Sequence, residues 1–171
     1  HPDRVELLSE AVKQKKNIED LAEAIHSLSR DLHPYKLKLL GTEKALRSYC
    51  AEFEERHAIP GEPVIDLGSA AVSAEGTLCL YRVLQESLAN VQKHAKAAEV
   101  KVSLSRVGRT CELTISDNGV GFVPNAQRQS NGLGIISMRE RAHLIGGSLN
   151  IRSKPGSGTT VTVRVPIIAN A

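Results

Sequence analysis

Leu113 and Ile115 alternate with Thr114 and Ser116 along Cys111–Ser116. A period of two predicts a half-buried strand, apolar on one face and polar on the other. Glu99–Val107 alternates in the same way, with Val100, Val102 and Leu104 opposed to Lys101, Ser103 and Ser105. Gly108-Arg109 turns that strand into the next as a hairpin. Leu149–Ser153 and Thr160–Val165 predict a last hairpin around Pro155-Gly156, and Val64–Leu67 a short strand. Other segments repeat at helical spacing. Leu78, Tyr81, Leu84, Leu88 and Val91 make the core face of a helix over Ala74–Lys96. Thr42 is placed to cap a helix to about Arg56, with Leu46, Tyr49, Cys50 and Phe53 inward. Pro60, Gly61 and Pro63 break the chain after it. Ile136–Ile145 predicts a helix stopped at Gly146-Gly147.

Towards the start, Val5, Leu8 and Val12 share one side of a helical stretch, interrupted by Lys13-Gln14-Lys15-Lys16. Asn17 can cap a second helix. From there Ile18, Leu21, Ile25, Leu28 and Leu32 step by threes and fours to Pro34, which is expected to end it. This heptad seam suits a helical hairpin or dimer, and two heptads are too short to stand without a partner.

The 171 residues suffice for one packed domain with an appendage. A net charge of +3 and a pI near 8.8 are mildly basic, with no dense Lys/Arg block beyond Lys13–Lys16, so nucleic-acid binding is not implied. No apolar run approaches membrane-spanning length, and no signal peptide is visible. Cys50, Cys79 and Cys111 are scattered through apolar-periodic segments and form no C-x-x-C pair. Buried free thiols in a reducing cytosol are the expectation. The chain opens His1-Pro2 without an initiating Met, so it is expected to be a fragment; a membrane link would come only through missing upstream segments.

Three glycine-rich turns carry the candidate chemistry. Asp117-Asn118-Gly119-Val120-Gly121-Phe122 follows a strand that can deliver a carboxylate to a pocket floor, and its glycines allow close backbone approach. Gly132-Leu133-Gly134 and Gly156-Ser157-Gly158-Thr159 come after it. Taken alone, such turns read as plain hairpin corners too. On the preceding helix Glu86, Asn90 and His94 stand four apart in one stripe, with Lys93 beside it. Carboxylate and amide oxygens suit Mg²⁺, while Lys and His donors suit phosphate oxygens. The same stripe alone is also an ordinary solvated helix face.

Together these motifs carry a resemblance. Gln85-Glu86-Ser87-Leu88-Ala89-Asn90-Val91-Gln92-Lys93-His94 resembles the N box of the Bergerat-fold (GHKL) ATPases, which include gyrase, heat-shock chaperones, mismatch-repair ATPases and histidine kinases. Asp117–Gly121 resembles their G1 box, Gly132-Leu133-Gly134 their G2 box, and Gly156–Thr159 their final glycine–threonine motif, in matching order and spacing. Leu133–Ala142 is similar to sensor kinases with a short nucleotide lid that work with nitrate-type response regulators, which also lack a separate phenylalanine box. The resemblance covers about residues 41–167. It implies a two-layer α/β (α+β) sandwich, with helices on one face of a mixed, mainly antiparallel sheet. The polar stretch Val123–Asn131 would be the lid.

By resemblance, the cofactors are ATP and Mg²⁺. Asp117 would accept from the adenine amine, Gly119 and Gly121 would make room for the base, and Thr159 would support it. Asn90 would ligate Mg²⁺, with Glu86 orienting metal-bound water. Lys93 and His94 would face phosphate oxygens, and Gly132, Leu133 and Gly134 would offer backbone N–H groups to them. Leu28–Pro34 with Leu37 and Leu40-Gly41 resembles the second helix of a kinase dimerisation hairpin, so residues 1–40 read as a helical remnant and 41–171 as the catalytic domain. His1, His26 and His33 precede Pro2, Ser27 and Pro34, not the acidic residue of the phosphoacceptor pattern. The acceptor helix is therefore expected to be missing, and self-phosphorylation of this piece with it.

The reading implied is the cytoplasmic, ATP-binding catalytic part of a sensor histidine kinase, a homodimer through its hairpin, relaying phosphate to a response regulator. A nucleotide-holding scaffold and a related ATPase or anti-sigma serine kinase are the alternatives. The hairpin resemblance separates the kinase from the last of these.

Overall fold

The computed structural model describes residues 34–61, 63–123 and 133–168. The heptad helices, His1, His26 and His33, Gly132 and nearly all of the expected lid lie outside the described residues. The chain divides into two units between Lys36 and Leu37, and the sheet with the helices packed on it belongs to the second.

The elements run α1 (Pro34–His57), β1 (Pro63–Asp66), β2 (Ala71–Val72), α2 (Ala74–Asn90), β3 (Val100–Val107), β4 (Thr110–Asp117), α3 (Leu133–Leu144), β5 (Ser148–Ser153) and β6 (Thr159–Ile168). The strands form one six-stranded sheet in the order β1-β3-β4-β6-β2, with β5 also on β6. Among the described strands only β1 and β3 pair in parallel; the other pairings are antiparallel. This is the expected mixed, mainly antiparallel sheet.

Period-two patterning decides which face is covered. Val100, Val102 and Leu104 on β3, Cys111, Leu113 and Ile115 on β4, and Val161, Val163 and Val165 on β6 are buried. Their neighbours make polar cross-strand pairs on the other face: Thr114 with Thr162, Ser116 with Thr160, and Arg164 with Glu112. α2 lies against the buried face. Leu80, Val83 and Leu84 lose essentially all contact with water, and Gln85 and Ser87 are buried with them. The predicted core face was thus too narrow: α2 is covered by the sheet on one side and by α1 and α3 on others. Leu78, expected inside, is only partly buried.

Pro34 opens a helix, contrary to the expectation that it would end one. Proline's fixed φ and missing N–H suit a first helical position. The break comes at Gly41 instead, where φ is 73° and ψ 171°. Beyond it Leu46, Cys50 and Phe53 turn inward as predicted. The Thr42 hydroxyl meets that of Thr77 at 2.7 Å, and Tyr49 packs edge-on against Tyr81. Both contacts fasten α1 to α2. The Arg47 guanidinium donates to the Pro63 and Ile65 carbonyls, and Glu43 accepts from Leu67 N–H, fastening α1 to β1.

Two features departed from the periodicity. β2 has two residues, paired with Ile167 and Ile168, too few to show any alternation. And α2 does not run regularly to Lys96: Val91–Ala95 is a π turn, closed by Lys96 in the left-handed conformation.

Candidate nucleotide-binding site

A cleft of about 550 Å³ opens between α2, the end of β4, the start of β6 and the start of α3. That is within the usual range for small-molecule sites. Its floor is apolar, built from Ile115, Ile151, Val161, Ile135 and Met138. Polar groups stand around this floor.

β-sheet parity explains how one of them arrives. Leu113, Ile115 and Asp117 share the inward face of β4. Register pairs them with Val163, Val161 and Thr159 on β6, and Leu149, Ile151 and Ser153 on β5 complete the same rows. The first two rows across the strands are apolar. The third is Asp117–Thr159–Ser153, polar throughout, at the edge of the floor. Asp117 Oδ1 accepts the Gly119 N–H at 2.8 Å, which orients the carboxylate. Asn118 Oδ1 accepts from Ala98 and Glu99 N–H, tying the loop to the start of β3.

The glycines of that loop are required by the protein's own backbone. A Cβ on Gly119 would collide with the Ala95 carbonyl and lie 2.7 Å from the Ala95 Cβ. The adjacent Val120 N–H donates to that same carbonyl at 2.8 Å. Gly121 has φ 60°, and a Cβ there would strike the Lys154 carbonyl and lie 2.8 Å from that of Gly158. A side chain at either position is therefore excluded by the chain itself, and Gly121 also lines the cleft.

On the helical wall Glu86, Asn90 and His94 all line the cleft, and Asn90 Nδ2 donates to Glu86 Oε1 at 3.4 Å. Lys93 is exposed and does not line it. The π turn accounts for the difference. In a regular α-helix Lys93, seven residues after Glu86, would return to its line and His94 would overshoot. The wider i→i+5 turn holds His94 in line and leaves Lys93 behind it. Gly134 lines the cleft at the first turn of α3, and a Cβ there would collide with the Glu86 carboxylate, its Cδ at 2.6 Å. The Leu133 side chain is 86% exposed and does not line the cleft.

Of the residues predicted, Glu86, Asn90, His94, Asp117, Gly121, Gly134 and Thr159 come together on the cleft. Lys93, Gly119 and Leu133 do not line it. Ser153 was missed. Its hydroxyl donates to the Gly158 carbonyl at 2.9 Å, accepts from Phe122 N–H at 2.9 Å, and meets the Thr159 hydroxyl at 2.9 Å. The available signal was a polar residue closing an inward row, as Asp117 does.

Among the described residues no three His, Cys, Asp or Glu side chains gather to hold a metal ion. Glu86 and Asn90 offer hard oxygen atoms suited to Mg²⁺, but too few to hold it without help. Burial pushes the thiols up, Cys50 and Cys111 to about 12 and Cys79 to about 11, so all three are neutral near pH 7, and none of them lines the cleft. No described helix is long and apolar enough to cross a membrane.

Comparison with known proteins agrees with this geometry. The family described as Histidine kinase-, DNA gyrase B-, and HSP90-like ATPase matches residues 76–169, more than half of the chain. The oxygen sensor histidine kinase NreB of Staphylococcus carnosus (strain TM300) is 34% identical over 165 residues, covering 96% of this chain. The chain spans 48% of that protein, about half its length. Among solved structures, the Acinetobacter baumannii histidine kinase AdeS matches with a TM-score of 0.62 at 17% identity, over 91% of this chain and 84% of that one. The ATP binding domain of PrrB from Mycobacterium tuberculosis matches at 0.57 and 23%, over 74% and 94%. At these identities the two structures speak for the fold. The chain belongs to the family of histidine kinase-, DNA gyrase B- and HSP90-like ATPases, as an ATP-binding catalytic domain of the sensor histidine kinase kind.

Proposed function

We propose that this domain binds Mg²⁺-ATP in the cleft and passes the γ-phosphoryl group to a histidine presented by a helix outside the domain, for relay to a response regulator. The observation that carries this reading is a cleft that joins an oriented Asp117 carboxylate to the Glu86–Asn90–His94 stripe across an apolar floor. An ionised carboxylate only accepts hydrogen bonds, so Asp117 selects a base carrying an amine. Ile115, Ile151 and Val161 provide the flat apolar surface on which a base rests. Asn90 and Glu86 bring oxygen atoms to the cation, which must also draw ligands from the polyphosphate. His94 donates to phosphate oxygens, as does the backbone at the start of α3 around Gly134.

Bound Mg²⁺-ATP supplies the activated phosphoryl group. The chain's own contribution is to hold the nucleotide in place and to neutralise charge, which is most of what phosphoryl transfer requires. Glu86 has a supporting part, since its carboxylate lies against Gly134 and accepts from Asn90. By the same reading the domain acts on the cytoplasmic side, in a homodimer joined through helical hairpins.

The test is calorimetric titration with ATP and Mg²⁺, beside Asp117→Asn. The expected result is Mg²⁺-sensitive binding that the substitution largely removes. Affinity unchanged in the variant would overturn the site. A supplied acceptor helix should then become phosphorylated; none, under saturating nucleotide, would leave a binding module.

A further inference from the structure

We infer that Ser153 sets which way the Thr159 hydroxyl points its proton, and through it the preference of the cleft for an amino-bearing base. The inference rests on the reading that the base lies beside Asp117.

A serine hydroxyl has one proton and two lone pairs. The Ser153 proton goes to the Gly158 carbonyl at 2.9 Å, and one lone pair takes the Phe122 N–H at 2.9 Å. The remaining contact, 2.9 Å to Thr159 Oγ1, is a hydrogen bond together with these two only when it uses the other lone pair, with Thr159 as donor. Thr159 has then committed its only proton away from the cleft it lines. What it turns towards the cleft are lone pairs.

Thr159 stands directly opposite Asp117 in the β4–β6 register. Asp117 is an acceptor by its charge, and Thr159 becomes one through Ser153. Two acceptors side by side match the two N–H groups of an exocyclic amine, directly or through a water. They repel a base that carries a carbonyl there instead. Ser153 touches no base itself: it is a positioning residue, and without it the Thr159 hydroxyl can rotate to donate.

Inosine triphosphate is the probe, because it replaces the amine of ATP with a carbonyl. Its Kd is compared with that of ATP in the unaltered chain and in Ser153→Ala, Thr159→Val and the double variant. In Ser153→Ala the ITP/ATP ratio of Kd values should fall roughly threefold to tenfold, the worth of one net hydrogen bond. A purely structural role, the loss of anchors on Phe122 and Gly158, weakens both nucleotides alike and leaves the ratio unmoved; that result overturns the inference. Thr159→Val should also narrow the ratio, and in its background Ser153→Ala should narrow it no further. An additional narrowing there would mean that Ser153 acts by another route, which also overturns it. Asp117→Asn is run in parallel. If it leaves both affinities untouched, the base lies elsewhere and the underlying reading fails; if it shifts them while Ser153→Ala keeps the ratio, only the inference fails.

Discussion

Asp117 and Thr159 are cross-strand partners, each an inward residue at the end of its strand, beside a glycine-rich turn. A Cβ on the adjoining Gly158 would run into the Asp117 carbonyl and lie 2.9 Å from its carbon, so the two turns are packed backbone to backbone. The sheet that builds the core therefore also aims the carboxylate, and the two tasks can be separated by mutation.

Asparagine at position 117 keeps an oxygen for the Gly119 N–H and replaces the other with a donor. The fold should be retained, with a melting temperature within about 3 °C of the parent. ATP affinity should drop roughly tenfold to a hundredfold, the cost of losing a hydrogen bond to a charged group. Thermal melts and calorimetry on one preparation check both halves.

Two glycines of the turns should respond differently to alanine. At Gly119 the obstacle is the Ala95 backbone, which cannot move aside, and the expected loss is about 1–3 kcal/mol in urea unfolding. At Gly134 it is the tip of the Glu86 side chain, which can rotate. Gly134→Ala should thus cost under about 1 kcal/mol while displacing Glu86. If Glu86 acts on the metal, Gly134→Ala and Glu86→Ala should change the Mg²⁺ dependence of ATP binding to the same degree, and together do no more than either alone.

Asn90→Asp puts a second carboxylate within reach of Glu86 in place of the donor that now bonds it at 3.4 Å. Without metal the two repel; with Mg²⁺ they share it. The variant's ATP affinity should rise more steeply with Mg²⁺ concentration than the parent's, and an unaltered dependence would count against Asn90 as a ligand.

The buried thiols give a pH dependence with a definite sign. Unfolded cysteines ionise near 8.5, whereas burial pushes Cys50 and Cys111 up to about 12 and Cys79 to about 11. Below pH 8.5 both states carry neutral thiols and this contribution to stability is fully present. Above it the unfolded chain gains thiolates that the folded chain refuses, so stability falls until the folded values near 11 to 12 are passed. Melts at pH 8 and pH 10.5 should differ by more than about 5 °C. Cys111→Ala should flatten that slope, and native thiols should resist alkylation until denaturant is added.

Much of this was legible in the chain itself. Alternation located β3, β4 and the first strand of the last hairpin to within a residue, and missed the final three residues of β6, because each strand has one wet and one dry face. Parity carried Leu113 and Ile115 on to Asp117, and the same rule applied to Leu149 and Ile151 would have reached Ser153. The two-residue β2 was not legible, since pairing alone defines it. Nor was the burial of Gln85 and Ser87, whose polar character reports nothing of the helices packed around α2. Lys93 was placed beside the stripe on the assumption of an unbroken α-helix, and a π turn has no side-chain signature in Val91–Ala95.

That turn amounts to one surplus residue lodged in a helix. Remove a residue there and the coil would tighten to regular winding; His94, then seven positions from Glu86, would still return to the same line. What would change is reach. Glu86 rests on Gly134 at the start of α3, and Ala95 holds the Val120 N–H behind Asp117, so the interval from 86 to 95 acts as a gauge for how far apart those two parts of the cleft stand. Chains of different lengths across this interval would hold ligands of different spans on the same sheet, with every side chain of the stripe unaltered.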